Sequence, residues 1–481
     1  MDSQETYLLT DVIYNILLHL NKDDSFNFIN ICKSVMKHKH YLYKKYVFNH
    51  HAITLTNDFM YHIESIKSSI AINFKKVKFN NLTTLEFNLN NSNNEVLDIY
   101  LEIILNNLPN TLLTLTINYH RYNLLINNLP SCLENLYIHS WNFNQSLKKL
   151  PKSLQKLQIV SHKFNQLLVK LPTTLKALTL IGNSFNQPID NLPITLKSLE
   201  ITADTFNRSI DNLPLNLENL YICCAKFNYP LGNLPQTLKS INLFGHKYNK
   251  KLDLEYLPDL ISLEISTKSF TLNDPSIFPD NLTKLKIFNN SIQSFSELGN
   301  LPINLKNLTL KSSLFNDSLN ELPKTLEHLT IDSMLFNQSL SDLPNLKQLI
   351  INSDAFNKVV YKLPETLKVL QISSKPFNKS LKNLPKNLEV LKIYSNKFNG
   401  ALDNLPENLH TIILDCNSLK QNLYNLQLNL KTTLINDHYS HNKYYNKYYN
   451  KYYNASYHIG CARDYNDLRP DYEDLFVPSN Y

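Results

Sequence analysis

Glycine is scarce, with six residues in a chain of 481. No Gly-x-Gly-x-x-Gly or Walker-type run occurs, so the loops that cradle nucleotide phosphates are excluded. The opening Met1-Asp2-Ser3-Gln4-Glu5 has no basic leader, and no apolar run reaches membrane-spanning length. These absences lead us to expect a reducing, cytoplasmic location. Cysteine is limited to Cys32, Cys132, Cys223, Cys224, Cys416 and Cys461, without metal-ligand spacing. Cys223 and Cys224 are adjacent and fall on opposite faces of a predicted strand, which suits neither a zinc site nor an easy disulfide. The net charge of +7 is small for this length and spread along the chain, which argues against a dedicated nucleic-acid protein.

Catalytic constellations are also missing. His38, His40, His50 and His51 lie near one another without partners at metal-ligand spacing. With Lys33, Lys37, Lys39, Lys44 and Lys45 they read as a solvated basic face. Carboxylates such as Glu200 and Glu264 are expected outside the core, where no burial would tune them for acid–base work. The expectation is a protein that is not an enzyme and needs no cofactor.

What the chain has is repetition. Asn-Leu-Pro, Lys-Leu-Pro or a close variant recurs from Pro109 to Pro406, with 21 residues between prolines at most steps. Phe278-Pro279 fills the one skipped place. Such a period marks a solenoid, in which each unit leans on its neighbours. Within a unit, Leu154-x-x-Leu157-x-Ile159 puts Leu157 and Ile159 on one side of an extended chain, because side chains alternate with period two. Lys156, Gln158 and Val160 then point the other way. Proline has no N–H and a fixed φ, so it suits the turn into the strand. The economical reading is one short parallel strand per unit. A 21-residue unit leaves little chain for a full helix, so the outer side is expected to be mostly turns and extended segments. The first and last strands of the array are read as Leu82–Phe87 and Leu409–Leu414. With 43% hydrophobic residues, the composition supports a folded body.

The Leu-x-x-Leu-x-Ile core matches the start of a leucine-rich repeat, but the slot eight residues after the first Leu is unconstrained (His162, Asn183, Asp204, Ala225). Phe-Asn follows instead, as in Phe143-Asn144, Phe164-Asn165, Phe206-Asn207 and Phe398-Asn399, with Tyr122-Asn123 and Tyr248-Asn249 as variants. A stacked Phe supplies apolar area, and the Asn can satisfy backbone groups of the adjoining turn. This Phe-Asn…Leu-Pro pattern resembles the FNIP repeat family, a leucine-rich-repeat-like module of amoebae and of the giant viruses that infect them. The same pattern explains formal glycosylation sequons such as Asn144-Gln145-Ser146.

The first fifty residues differ. Val12, Ile13, Ile16, Leu17 and Leu20 form one helical stripe, with Thr10 or Asp11 as N-cap. Asn21-Lys22-Asp23-Asp24 ends it and opens a second helix carrying Phe28, Ile29, Cys32 and Val35. Bottom-up this is only a small helical unit, and a cap protecting the end of the solenoid is its less favoured reading. The order of Leu9, Asp11, Ile16, Leu20, Asp23-Asp24 and Cys32-Lys33 also resembles an F-box, although Thr10 stands where that family has proline and its late Trp is absent. The resemblance implies docking on a Skp-type adaptor of a cullin–RING ubiquitin ligase through Leu9, Val12, Ile13, Ile16, Leu17 and Leu20.

The expected organisation is an F-box-like helical domain at 1–50, a transition with an atypical repeat at 51–105, the repeat solenoid at 106–420 and a tail at 421–481. The tail repeats Asn-Lys-Tyr-Tyr before an acidic end with Asp464, Asp467, Asp471, Glu473 and Asp474. Cation–aromatic alternation can stack on single strands, yet polar low-complexity tails are commonly disordered and the acidic end opposes that partner. Nucleic acid and membrane are not expected partners.

Recognition is expected on the outward strand positions, a row of about 65 Å at ordinary strand spacing. Glu200, Tyr221, Asn242, Phe244, Glu264, Lys286 and Phe288 form the contact patch predicted there, since aromatics among polar groups suit a protein-binding face. Together these features describe a substrate receptor of a Skp–cullin–F-box ligase, or alternatively a scaffold or decoy that binds proteins without a ligase.

Overall fold

A pentapeptide such as Lys-Leu-Gln-Ile-Val cannot bury its two aliphatic side chains alone. It buries them when pentapeptides of the same pattern line up beside it. The computed structural model describes residues 52–56, 82–89, 96–106, 108–250, 252, 254–267, 278–402, 404–416, 418 and 432–436. The expected helical domain at 1–50 and most of the tail lie outside these residues. In chain order come β1 (Ala52–Thr56), β2 (Thr84–Asn88), helix α1 (Val96–Leu105), β3 (Thr114–Asn118), β4 (Asn135–His139) and β5 (Lys156–Val160). Next are β6 (Ala177–Ile181), β7 (Ser198–Thr202), β8 (Asn219–Cys223), β9 (Ser240–Gly245), β10 (Ser262–Thr267) and β11 (Lys284–Phe288). The series ends with β12 (Asn307–Lys311), β13 (His328–Asp332), β14 (Gln348–Asn352), β15 (Val369–Ser373), β16 (Val390–Ser395), β17 (Thr411–Cys416) and β18 (Thr432–Asn436).

These 18 strands form a single sheet. Each pairs in parallel with the next in sequence, from β1–β2 to β17–β18. The register never slips between the repeats: Leu157, Leu178, Leu199 and Leu220 stand opposite one another, as do Ile159, Leu180, Ile201 and Ile222. The second and fourth residues of β2 to β17 are buried and the odd ones face outward. The one-strand-per-unit reading holds.

The array extends beyond its predicted ends. β1 pairs with β2, ahead of the strand expected to be first, and β18 pairs with β17, after the one expected to be last. Neither carries a Leu-Pro turn, and sheet pairing runs through backbone groups that do not need one. Between β2 and β3 the chain forms α1, which buries Leu101, Ile104 and Leu105. From β3 to β17 the described connections are turns and extended chain, apart from one 3-10 turn at Phe295–Leu298.

The proline does what its position implies. Its carbonyl accepts the N–H three residues on, Leu154 to Pro151 at 3.2 Å and Leu196 to Pro193 at 3.0 Å, closing the turn before the strand. The next two N–H groups then share a carbonyl of the preceding unit: Gln155 and Lys156 both donate to Glu134, at 2.7 and 3.0 Å. Inter-unit bonding thus extends beyond the strand itself and pairs backbone groups of the adjoining turn.

Three further ladders run along the stack. Tyr122, Phe143, Phe164, Phe185, Phe206, Phe227 and Tyr248 are fully buried or nearly so and lie almost parallel, with centroids 5.6–6.1 Å apart. The run resumes from Phe315 to Phe398. Phe295 meets Phe315 edge-on at 4.9 Å, with a 70° interplanar angle. Beside the rings, each Asn side chain accepts the backbone N–H of the equivalent Asn in the next unit. Asn144 to Asn123 is 2.9 Å, Asn207 to Asn186 is 3.0 Å and Asn399 to Asn378 is 2.9 Å. At Asn316 the acceptor is the Gln293 backbone carbonyl, at 3.1 Å.

The third ladder was not anticipated. From β4 onward, seven residues after the first Leu, where the strand ends, the buried side chain is usually small: Ser140, Ser161, Ala203, Cys224, Ser312, Ser333, Ser353, Ser374, Ser395 or Cys416. The two units before β4 carry Leu89 and Tyr119 there. The serine hydroxyls donate back to the preceding unit, Ser161 to the Phe143 carbonyl at 2.8 Å and Ser333 to that of Phe315 at 2.7 Å.

The Asn ladder gives a direct expectation. Asn186→Ala removes the acceptor for the Asn207 amide. It should cost about 1 kcal/mol, the usual net worth of one such bond. Asn186→Asp keeps an oxygen in place and should cost less. Urea unfolding followed by circular dichroism would rank the two, and an aspartate as harmful as the alanine would contradict the ladder.

Candidate binding face

Because the register is uniform, the third strand residues form one continuous row. Glu200, Tyr221, Asn242, Glu264 and Lys286 stand opposite one another across β7, β8, β9, β10 and β11. The fifth positions place Cys223, Phe244, Ser266 and Phe288 beside them. All seven residues predicted for the patch therefore share one face, about 20 Å across at ordinary strand spacing. They are half-buried, except Lys286, which is exposed.

Neighbouring strands decide how each side chain stands. The Thr179 hydroxyl donates to the Glu200 carboxylate at 3.2 Å. Lys286 pairs with Glu264 at 3.2 Å. The Tyr221 and Phe244 rings are 5.4 Å apart and tilted by 42°. Burial between strands raises the Glu200 carboxyl above its usual range, with Thr179 opposing the shift. This corrects the expectation that carboxylates on this face escape burial. A side chain on a parallel sheet is flanked by both neighbours, and here those are Thr179 and Tyr221. Burial also raises the Tyr221 phenol, helped by the charges of Cys223, Glu200 and Glu264, and raises the Cys223 thiol. Further toward β4, burial raises Tyr137 and lowers His139.

Cys223 is half-buried on the face while Cys224 is buried behind it, the opposed arrangement read from their adjacency. Among the described residues no three His, Cys, Asp or Glu side chains gather as a metal site would require. No described helix is long and apolar enough to cross a membrane. The six positions predicted for adaptor docking, Leu9, Val12, Ile13, Ile16, Leu17 and Leu20, lie outside the described residues. The turns also carry exposed apolar side chains that strand reasoning missed. Trp141 lies edge-on to His162 at 5.6 Å, and Leu215 and Ile303 are each 70% exposed. Their signal was an apolar residue at a slot that is polar in most other repeats.

Residues 164–204 match the FNIP Repeat family. No curated protein matches the chain. Among solved structures it is similar to CroV588, described as a novel circular LRR protein, with 28% identity and a TM-score of 0.53 over 75% of this chain. That match spans 60% of CroV588, so this chain covers less than two thirds of that protein. It is also similar in fold to YopM from Yersinia enterocolitica WA-314, at 18% identity and a TM-score of 0.51, covering 91% of this chain and 96% of that one. The described residues thus form a parallel solenoid like those of leucine-rich-repeat proteins, with an FNIP-repeat segment over β6 and β7.

Proposed function

We propose that this chain is a non-catalytic receptor that holds a target protein on the β7–β11 face. Its N-terminal segment docks a Skp-type adaptor and thereby a cullin–RING ubiquitin ligase. The observation that supports the binding role is the unbroken row from Glu200 to Lys286, flanked by Phe244 and Phe288. Aromatic anchors among polar groups, held on a rigid sheet, are what a protein interface uses. The docking role is supported by the F-box-like order of residues 9–33. Tethering a target beside a ubiquitin-conjugating enzyme raises its effective concentration without any chemistry by the tether. No bond is broken by the chain itself, and it works in an intracellular compartment.

The test uses the full chain with a purified Skp-type adaptor and cullin. Wild type should recover both. Replacing Leu9, Ile16 and Leu20 together with aspartate should abolish recovery while the β signal in circular dichroism stays, because each repeat core is built with its neighbours. Failure of the wild type to bind would remove the ligase role and leave a protein-binding scaffold.

A further inference from the structure

We propose that the target presents an arginine or lysine to this face, its charged head on the Glu200 carboxylate and its flank against the Tyr221 and Phe244 rings. This rests on the reading of the β7–β11 face as the target surface and adds the chemistry of what it takes.

Glu200 carries the argument. Its neighbours along the row are Thr179 and Tyr221, and neither is a cation. Thr179 supplies one hydroxyl bond to the carboxylate, at 3.2 Å. Among the described residues no Lys, Arg or His forms an ion pair with it. Other carboxylates on the same face are served: Glu264 by Lys286 and Asp332 by Lys311, each at 3.2 Å. Glu200 is thus a half-buried carboxylate that has lost part of its hydration without gaining a counter-charge, consistent with its raised pKa. A cation brought by a partner would supply what the sheet does not.

The rings beside it fit the same occupant. Tyr221 is on the adjoining strand, and Phe244 packs against it at 5.4 Å. A guanidinium or the stem of a lysine gains from an aromatic face, and arginine gains further from a carboxylate at its edge. An acidic segment or a phosphate backbone would meet Glu200 between Thr179 and Tyr221, while Lys286, the cation of the patch, stands four strands away and is paired with Glu264.

The experiment selects peptides from a displayed random library against the full-length protein and sequences them. Wild type should enrich arginine or lysine at one fixed position. A synthetic peptide so obtained should bind Glu200→Gln about tenfold more weakly or worse. Glutamine keeps the size of the side chain and an acceptor for Thr179, so circular dichroism should match wild type. Changing the peptide's basic residue to citrulline or glutamine should cause the same loss, and the two changes together should add little to either alone. Peptides that depend on Tyr221 and Phe244 but show no basic position, or bind Glu200→Gln equally well, would overturn the basic anchor and leave the face as target surface. If no selected peptide were weakened by the double substitution of Tyr221 and Phe244 with alanine, the reading of the face itself would fall. Retention of a single-stranded oligonucleotide, lost in Glu200→Gln, would likewise overturn the proposal.

Discussion

Phe206→Ala is expected to lower the stability of the repeats by about 3–5 kcal/mol, the range for deleting a buried aromatic ring. Phe206 is fully buried between Phe185, at 5.9 Å, and Phe227, at 6.1 Å. A void left there has little freedom to collapse. The two flanking rings belong to separate units, and each unit is pinned by its strand pairing and by the Asn186–Asn207–Asn228 ladder. The cost should therefore sit near the upper end of the range. Because solenoid stability is a sum of unit and nearest-neighbour terms, the same change weakens the coupling between the two halves of the stack. Denaturant unfolding should show an earlier and broader transition, or two steps with smaller slopes in place of one. A midpoint shift worth less than about 1 kcal/mol would mean that the ring column contributes little beyond filling space. Phe398→Ala is the internal comparison. It has a stacked neighbour at Phe377, 5.7 Å away, and no ring contact toward the C-terminal side among the described residues. Its loss should be smaller.

The same column shows why much of this fold could be read from the chain. Strand position, face and register all follow from Leu-x-x-Leu-x-Ile, because a period of two leaves one side of each strand apolar and a slip of one residue would expose it. The Phe was legible as core, and the Asn was legible as a partner for a neighbouring turn. Its particular partner, the N–H of its own equivalent one unit later, needed the stack. The small-residue ladder was hidden for a different reason. Ser161, Ala203 and Cys224 are chemically unlike, and what they share is limited volume at a buried strand end, a limit that holds only after the first units, where Leu89 and Tyr119 fill the slot. Identity patterns do not display a volume limit. β1 and β18 were missed at opposite ends because backbone pairing requires no Leu-Pro signature. On the candidate face, the row from Glu200 to Lys286 was legible from the strand frame alone. The burial of Glu200 was not, since it depends on Thr179 and Tyr221, each 21 residues away in sequence.

The small-residue ladder also leads to an expectation that runs against the repeat pattern. Gly182 occupies the slot filled by Ser140, Ser161 and Ser312 elsewhere, so a consensus argument would install serine there. Gly182→Ser is instead expected to destabilise the protein by about 3 kcal/mol, as overpacking does when the obstacle is rigid. A Cβ on Gly182 would sit 1.8 Å from the Ser161 carbonyl oxygen and 2.5 Å from its carbon. Both are backbone atoms. Ser161 cannot retreat without cost, because its N–H donates to Ile181 at 2.6 Å and its hydroxyl to Phe143 at 2.8 Å. Gly182 is itself held by donating to the Thr202 carbonyl at 2.8 Å. Either the β6 end moves and loses that bond, or Ser161 moves and breaks two. Gly182→Ala should do nearly as much harm, since the first added carbon makes the clash and the serine hydroxyl can recover only one bond. Gly232→Ala is the control: no atom lies within 4 Å of the added carbon, so its unfolding midpoint should match wild type within about 0.5 kcal/mol. Equilibrium unfolding of the three variants separates the effects. A Gly182→Ser protein as stable as wild type would show that the serine geometry of the other units is accessible here, and that glycine at this unit is incidental.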